Sequence, residues 1–298
     1  LDIPRAVVAG CGFLGEAVAG FFCESGWRVL GLTATQESAA GLGGRAHGVI
    51  AADIRGDLRG IPDAWQEPDV LIHCASSGHG GADAYRAVYR DGLARLIGRL
   101  SPRLTIFTGS TSVYGQADGA WVDESSLTLP ERETGRVLLE AERIALDAGG
   151  IVARLAGIYG PGRSTLLDKC LTGSAVLEDG GGHWINQIHR DDAARALLLL
   201  AGRGVASGIY NVSDGRPATQ REVCTWLAAA LAIPLPPVGP PSPKLKRGNS
   251  NKRVSNAKLV AAGWRPAFSS YADAIPRLLA READEIRHRA PASCGAIC

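Results

Sequence analysis

No apolar run in this sequence approaches the roughly 20 residues that a bilayer-spanning helix needs. The stretch 193–201 is too short, and no charged-then-apolar leader opens the chain, so a membrane partner is not expected. Neither sign of charge dominates: 32 Lys and Arg stand against 30 Asp and Glu, a formal net charge of +2. Nucleic acid is therefore not expected as the main partner either. The seven cysteines, Cys11, Cys23, Cys74, Cys170, Cys224, Cys294 and Cys298, are odd in number and show no paired framework. That excludes a disulfide scaffold and points to a reducing compartment, hence a cytoplasmic protein. Cys294 and Cys298 fall in a Gly/Ala-rich tail, 290–298, that reads as unstructured, and no metal site is assigned. Methionine is absent, for which the sequence offers no physical reason.

With 46% apolar content, 298 residues can bury a large core in one large or two modest domains. The chain is organised around its opening. A short apolar run breaks into Gly10, Gly12 and Gly15 and continues through Phe13 and Leu14 into a helical pattern that ends near Ser25 and Gly26. Strand, tight turn and helix in that order make a dinucleotide-binding fingerprint: Gly10 permits the turn, Gly12 lets a diphosphate approach the backbone, and Gly15 lets helix and strand pack closely. The second strand, 27–32, ends at Thr33-Ala34-Thr35. An acid here would hold the ribose 2′-hydroxyl of NAD; its absence favours NADP over NAD, with Thr33 and Thr35 as contacts.

Further apolar runs at 49–52 and 70–75, a helical spacing over 84–100, and a run at 104–107 complete an alternation of strand and helix. Continuous rather than alternating apolar strands imply a parallel sheet covered on both faces. The run at 104–107 delivers Thr108-Gly109-Ser110 to its carboxyl edge, where such sheets bind ligands.

Four segments then come in a telling order: Val70-Leu71-Ile72-His73-Cys74-Ala75-Ser76, Gly109-Ser110-Thr111-Ser112-Val113-Tyr114-Gly115, Arg154-Leu155-Ala156-Gly157-Ile158-Tyr159-Gly160-Pro161-Gly162-Arg163, and Asn186 with Ile188-His189-Arg190-Asp191-Asp192. The chain resembles an atypical extended short-chain dehydrogenase/reductase, of the superfamily that includes nucleotide-sugar epimerases and dehydratases. The resemblance implies an α/β fold, a Rossmann doubly wound parallel sheet with a smaller C-terminal substrate domain. Residues 1–163, with last strands from about 185–215, would form the NAD(P)-binding domain and 164–298 mainly the substrate-binding region. It also implies that Asp53 and Ile54 hold the adenine, that Cys74, Ala75 and Ser76 line the cofactor, and that Ala156 and Ile158 approach the nicotinamide. Ser110 matches the hydroxyl that binds the substrate oxygen, although a serine at a strand end also suits a plain turn.

The superfamily's acid/base pair is a Tyr and a Lys four residues apart on one helix. The matching positions here are Thr134 and Leu138, in Thr134-Gly135-Arg136-Val137-Leu138-Leu139-Glu140-Ala141-Glu142. A threonine hydroxyl is no substitute for a phenol near neutral pH, and Leu138 carries no charge. Tyr114, Tyr159, His79 and Tyr85 lie in segments that reach the carboxyl edge and are candidates for the missing proton donor; each also suits a packing or surface role.

In the second half, residues 151–155 read as a sixth strand and 207–212 as another, while Thr219-Gln220-Arg221-Glu222 is a capping box opening a helix to 232. Asp191 and Asp192 are expected to cap a helix over 193–201. Six prolines within 234–243 indicate an extended loop. His79, Ser112, Arg163, Asn186 and Arg253 are the candidate substrate contacts, Ser110, Thr134 and Tyr159 the candidate catalytic groups. The resemblance implies a homodimer through the helices at 84–100 and 133–148. Two functions follow: an NAD(P)-dependent oxidoreductase or epimerase-like enzyme on a small polar, nucleotide-sugar-like substrate, or an inactive NAD(P)H-binding sensor or scaffold.

Overall fold

The apolar runs become the strands β1 (Arg5–Ala9), β2 (Arg28–Thr33), β3 (Gly48–Ala51), β4 (Val70–His73), β5 (Thr105–Ser110), β6 (Ile151–Leu155) and β7 (Gly208–Val212). They form one seven-stranded parallel sheet in the order β7-β6-β5-β4-β1-β2-β3. The Rossmann sheet is thus as expected. The computed structural model describes residues 3–42, 46–78, 80–240 and 250–289.

Strand alternation divides the core between the two faces. Ala6 and Val8 of β1 enter a core with α1 (Phe13–Glu24), whereas Val7 and Ala9 enter another on the opposite face. Helix α2 (Gln36–Ala40) follows β2. Gly31 in β2 is required by close packing, because a Cβ there would lie 2.7 Å from the buried Cys11 Sγ.

The segment expected as one helix over 84–100 has three parts: α3 (Ala82–Tyr85), a π-helical turn at Arg86–Asp91, and α4 (Gly92–Leu100). Its apolar spacing suits either winding, so the wide turn leaves no mark on periodicity. His73 fastens it, its Nε2–H donating to Val88 O at 3.1 Å. Burial lowers the His73 pKa to about 4, so the ring is neutral. Helix α5 (Glu133–Asp147) packs across this segment and β5.

Beyond the sheet, α6 (Thr165–Leu171), α7 (Arg190–Leu200), α8 (Gln220–Leu231), α9 (Ala257–Ala261) and α10 (Tyr271–Arg289) complete the chain. Helix α7 packs on α1, and α6, α8 and α10 enclose a third core around Tyr159, Leu167, Leu227 and Ile275. The Thr219–Glu222 capping box is formed, with Thr219 N–H donating to Glu222 Oε2 at 2.7 Å and Glu222 N–H to Thr219 Oγ1 at 3.2 Å. The capping expected of Asp191 and Asp192 is not observed. Helix α7 starts earlier, at Arg190, and its cap is His189, whose Nδ1 accepts from Asp191 N–H at 3.2 Å. Asp192 instead receives the backbone N–H groups of Ala267 and Phe268, both at 2.9 Å. Part of the proline-rich stretch is regular: Val238–Gly239 pairs with Leu177–Glu178. Residues 241–243, the neighbouring basic stretch and the tail 290–298 lie outside the described residues.

Candidate cofactor and active site

The glycine turn is held by backbone bonds from Gly10 and Cys11 N–H to Leu32 O, at 2.9 and 3.1 Å, and from Gly12 N–H to Gly10 O, at 2.8 Å. Two of its glycines are demanded by packing. Gly10 has φ +92°, and a Cβ on it would lie 2.3 Å from Ala75 Cα; one on Gly15 would lie 2.2 Å from Gly10 O. A Cβ on Gly12 meets nothing within 4 Å, so the space above it is open. Helix α1 begins there with no side-chain cap, and its leading N–H groups suit an anion.

A cleft of about 640 Å³ runs over this turn along the carboxyl edge of the sheet. Toward β2 and β3 it is lined by Thr33, Ala34, Ser38, Asp53, Ile54 and Arg55, and at its middle by Gly10, Gly12, Phe13, Leu14, Cys74, Ala75 and Ser76. Toward β5 and β6 it meets Tyr85, Ser110, Ser112, Leu138, Ala156, Ile158 and Arg163. Thr33 is buried and donates its hydroxyl to Thr35 O at 3.0 Å. Thr35 is not in the lining: its Oγ1 accepts from Ser38 N–H at 3.2 Å and caps α2. Ser38 and Arg55 were missed in the sequence. Arg55 could have been found from its place two residues after Asp53, which it pairs at 2.9 Å through Nε and 2.7 Å through Nη2, holding that carboxyl below its usual pKa. Burial pushes the Cys11 thiol up to about 12 and raises Cys74 as well, so both are neutral packing groups.

Ser110 ends β5 with its Oγ accepting from Ser112 N–H at 3.1 Å, which leaves its own proton to donate. Leu138 is 5% exposed and forms apolar wall. Thr134 lines a smaller cavity of about 60 Å³, which shares Tyr85, Ser112 and Leu138 with the main cleft.

Several candidates stand elsewhere. Tyr159 is turned away from the cleft: along Gly157–Tyr159, Ile158 lines it and Tyr159, next in the alternation, enters the third core. Its ring lies 4.7 Å from Tyr271 and 5.5 Å from His189, and burial raises its pKa, so a proton-transfer role for it is not supported. His189 is likewise buried and does not line the cleft. Tyr114 is fully buried, donating to Asn211 Oδ1 and accepting from Arg154 Nη1, both at 2.9 Å. Arg154 in turn grips Glu142 at 3.0 and 2.7 Å. Asn186 is a backbone clamp, donating to Lys252 O and accepting from Val254 N–H. Arg253 donates from Nε to Gly119 O at 2.8 Å and lies between the rings of Trp121 and Trp184, at 5.2 and 5.0 Å. Neither Asn186 nor Arg253 lines the cleft. Arg163 does, with its guanidinium 5.1 Å over the Phe13 ring, beside the glycine turn. Arg190 lies 5.3 Å from the same ring. His79 lies outside the described residues.

The sequence profile of the NAD dependent epimerase/dehydratase family matches residues 6–213, a span that contains the whole cleft. The chain belongs to the NAD dependent epimerase/dehydratase family. Protein YeeZ of Escherichia coli K12 is 31% identical over 220 residues, 70% of this chain and 77% of that protein. A structure from Methylobacillus flagellatus, described as a NAD-dependent epimerase/dehydratase, is 28% identical with a TM-score of 0.76, covering 95% of this chain and 100% of that one. MoeE5, solved with UDP-glucose and NAD, shares the fold at 20% identity, with a TM-score of 0.80 over 95% of this chain and 99% of its own. The family binds NAD(P), and the residues present fit such a group. Open space lies above Gly12, helix α1 starts beneath it, and an arginine without an acid partner among the described residues stands beside it. Among the described residues no helix is long and apolar enough to cross a membrane.

Proposed function

We propose that this member of the epimerase/dehydratase family is an NADP(H)-dependent oxidoreductase acting on a small polar substrate. The observation that carries this reading is the single cleft in which the open Gly12 turn and the donor hydroxyl of Ser110 face one ligand space. When bound, the nicotinamide supplies the hydride chemistry. The chain's own residues bind and orient. Gly12 and the α1 N-terminus take the diphosphate, and Arg163 adds a positive charge beside it. The Asp53–Arg55 pair and Ile54 border the adenine, and Ser110 holds the substrate oxygen.

The absence of an acid after β2 supports NADP, as do Ser38 and Arg55 in the lining on that side. MoeE5 carries UDP-glucose, and the small polar substrate proposed here is of that nucleotide-sugar kind. Leu138 favours a second reading, a cofactor-binding sensor without turnover, because it puts an apolar wall where a cation would be needed. Calorimetric titration of cofactor-free protein with NADPH and NADH tests both. Tighter binding of NADPH is the expected result, and binding of neither by folded protein overturns both readings. Turnover of nucleotide-sugar carbonyls by wild type, lost in Ser110→Ala, separates enzyme from sensor.

A further inference from the structure

Helix α5 carries no phenol, but the segment that faces it does. Tyr85 ends α3 just before the π-helical turn, a kind of turn that recurs at functional sites. With Ser112 and Leu138 it forms the boundary shared by the main cleft and the smaller cavity lined by Thr134. Two ion pairs bind this segment to α5. Arg86 bonds Glu133, the neighbour of Thr134, and Arg90 bonds Glu140 at 3.3 Å.

The Tyr85 ring rests on Tyr89 at 4.9 Å, and Tyr89 stands edge-on to the buried Phe107 of β5 at 6.3 Å. The ring is therefore supported from behind. Its hydroxyl has no hydrogen-bond partner among the described residues, in contrast to Tyr114, whose oxygen is used twice. Tyr89 also lines the main cleft but not the smaller cavity, so it is the natural control.

We propose that Tyr85 is the proton donor at the reactive end of the cleft, supplied from the facing helix in place of the phenol absent from α5. The proposal rests on the reading of the chain as an NADP(H)-dependent oxidoreductase. In carbonyl reduction the Tyr85 O–H bond breaks and a new O–H bond forms on the substrate oxygen that Ser110 holds. The carbonyl carbon gains a hydride from the reduced nicotinamide, the substrate is reduced to an alcohol and the cofactor oxidised, and solvent water reprotonates the phenolate. Burial first, then Tyr89, raises the Tyr85 pKa, so the group is a neutral donor near pH 7.

The ionisable groups around the phenol are Tyr89 and the Asp83–Arg86–Glu133 chain, with Arg90, Asp91 and Glu140 farther along the turn and Glu131 and Arg132 across the small cavity. The phosphates are common to NADP⁺ and NADPH, so the difference between the two titrations reports the charge on the nicotinamide ring. The test is to incorporate 3,5-difluorotyrosine at position 85, which brings the phenol's titration into the range where the protein is folded, and to follow it by ¹⁹F NMR. The titration is compared without cofactor, with NADP⁺ and with NADPH, and calorimetry on the same sample records binding. If Tyr85 faces the nicotinamide, NADP⁺ lowers the phenol's pKa by about one to three pH units, as a cation within 4–6 Å does, and neutral-ring NADPH moves it much less. The same label at position 89 responds weakly. Binding of NADP⁺ with an unmoved Tyr85 titration overturns the assignment of Tyr85 and leaves the cofactor reading standing. No binding overturns both.

Discussion

Gly12→Ala separates the two duties that glycines perform in the opening turn. Gly12 has φ −93°, accessible to any residue, and a Cβ there touches nothing within 4 Å. The variant therefore folds: the gain from restricting the unfolded chain, about 0.4–1 kcal/mol, is offset by alanine's weakness at an N-cap. Its thermal midpoint should stay within about 4 °C of wild type. The added methyl, however, occupies the space proposed for the diphosphate. Pushing that group off two backbone N–H donors forfeits hydrogen bonds to a charged acceptor worth about 1.5–3 kcal/mol each. NADPH affinity should then fall by roughly 10² to 10⁴-fold. Calorimetry on the folded variant measures this directly. Gly10→Ala is the contrast, since its Cβ would collide with Ala75 at a positive φ, and it should lose stability whether or not cofactor is present. Wild-type affinity in Gly12→Ala would refute the seating of the cofactor on this turn.

Other perturbations follow from the same geometry. Arg163→Ala should weaken NADPH roughly tenfold by removing a positive charge beside the turn while leaving the urea midpoint unchanged, because among the described residues Arg163 lies over the Phe13 ring and pairs with no acid; equal affinity would return Arg163 to the substrate or to solvent. Glu142→Leu should cost about 3–5 kcal/mol in urea unfolding, since it strands the Arg154 guanidinium, which is 3% exposed. Glu142→Leu combined with Arg154→Met should recover most of that loss, and a double variant no better than the single would mean that the pair itself carries the stability. Burial lifts the Asp214 pKa from 3.8 to about 7, so between those values the folded protein holds a proton that the unfolded chain has released. Its stability contribution therefore declines as pH rises through that window; Asp214→Asn should match wild type near pH 4 and exceed it by a few kcal/mol at pH 8, and parallel profiles would refute the assignment.

The glycine turn and the parallel character of the strands were legible because both are written locally. A strand, a turn and a helix are written in one continuous run, and continuous apolar strands demand cover on both faces. The reactive end was less so. Tyr159 sits in a motif that reaches the cleft, but only alternate residues of a strand share a face, and the register that favours Ile158 is set by pairing with Gln187–His189. Arg163 meets Phe13 across 150 residues of chain, a contact no spacing records. His189 as a cap was hidden because its ring nitrogen does what an Asp or Ser oxygen usually does. Asn186 and Arg253 carry polar groups that the backbone and two indole rings already occupy.

The π-helical turn at Arg86–Asp91 has a consequence for how relatives should be compared. Each residue of an α-helix advances the side-chain direction by about 100°. The wide turn uses its six residues for about the rotation that five take in an α-helix, so deleting one of them restores ordinary winding while Tyr85 before it and Leu93, Leu96 and Leu100 after it keep their faces. Tyr85 would then still line the cleft, and only the residues within the turn would change direction. A single gap in an alignment at Arg86–Asp91 therefore leaves this phenol in play, whereas a single gap within the α-helical stretch Gly92–Leu100 turns everything before it by about 100°.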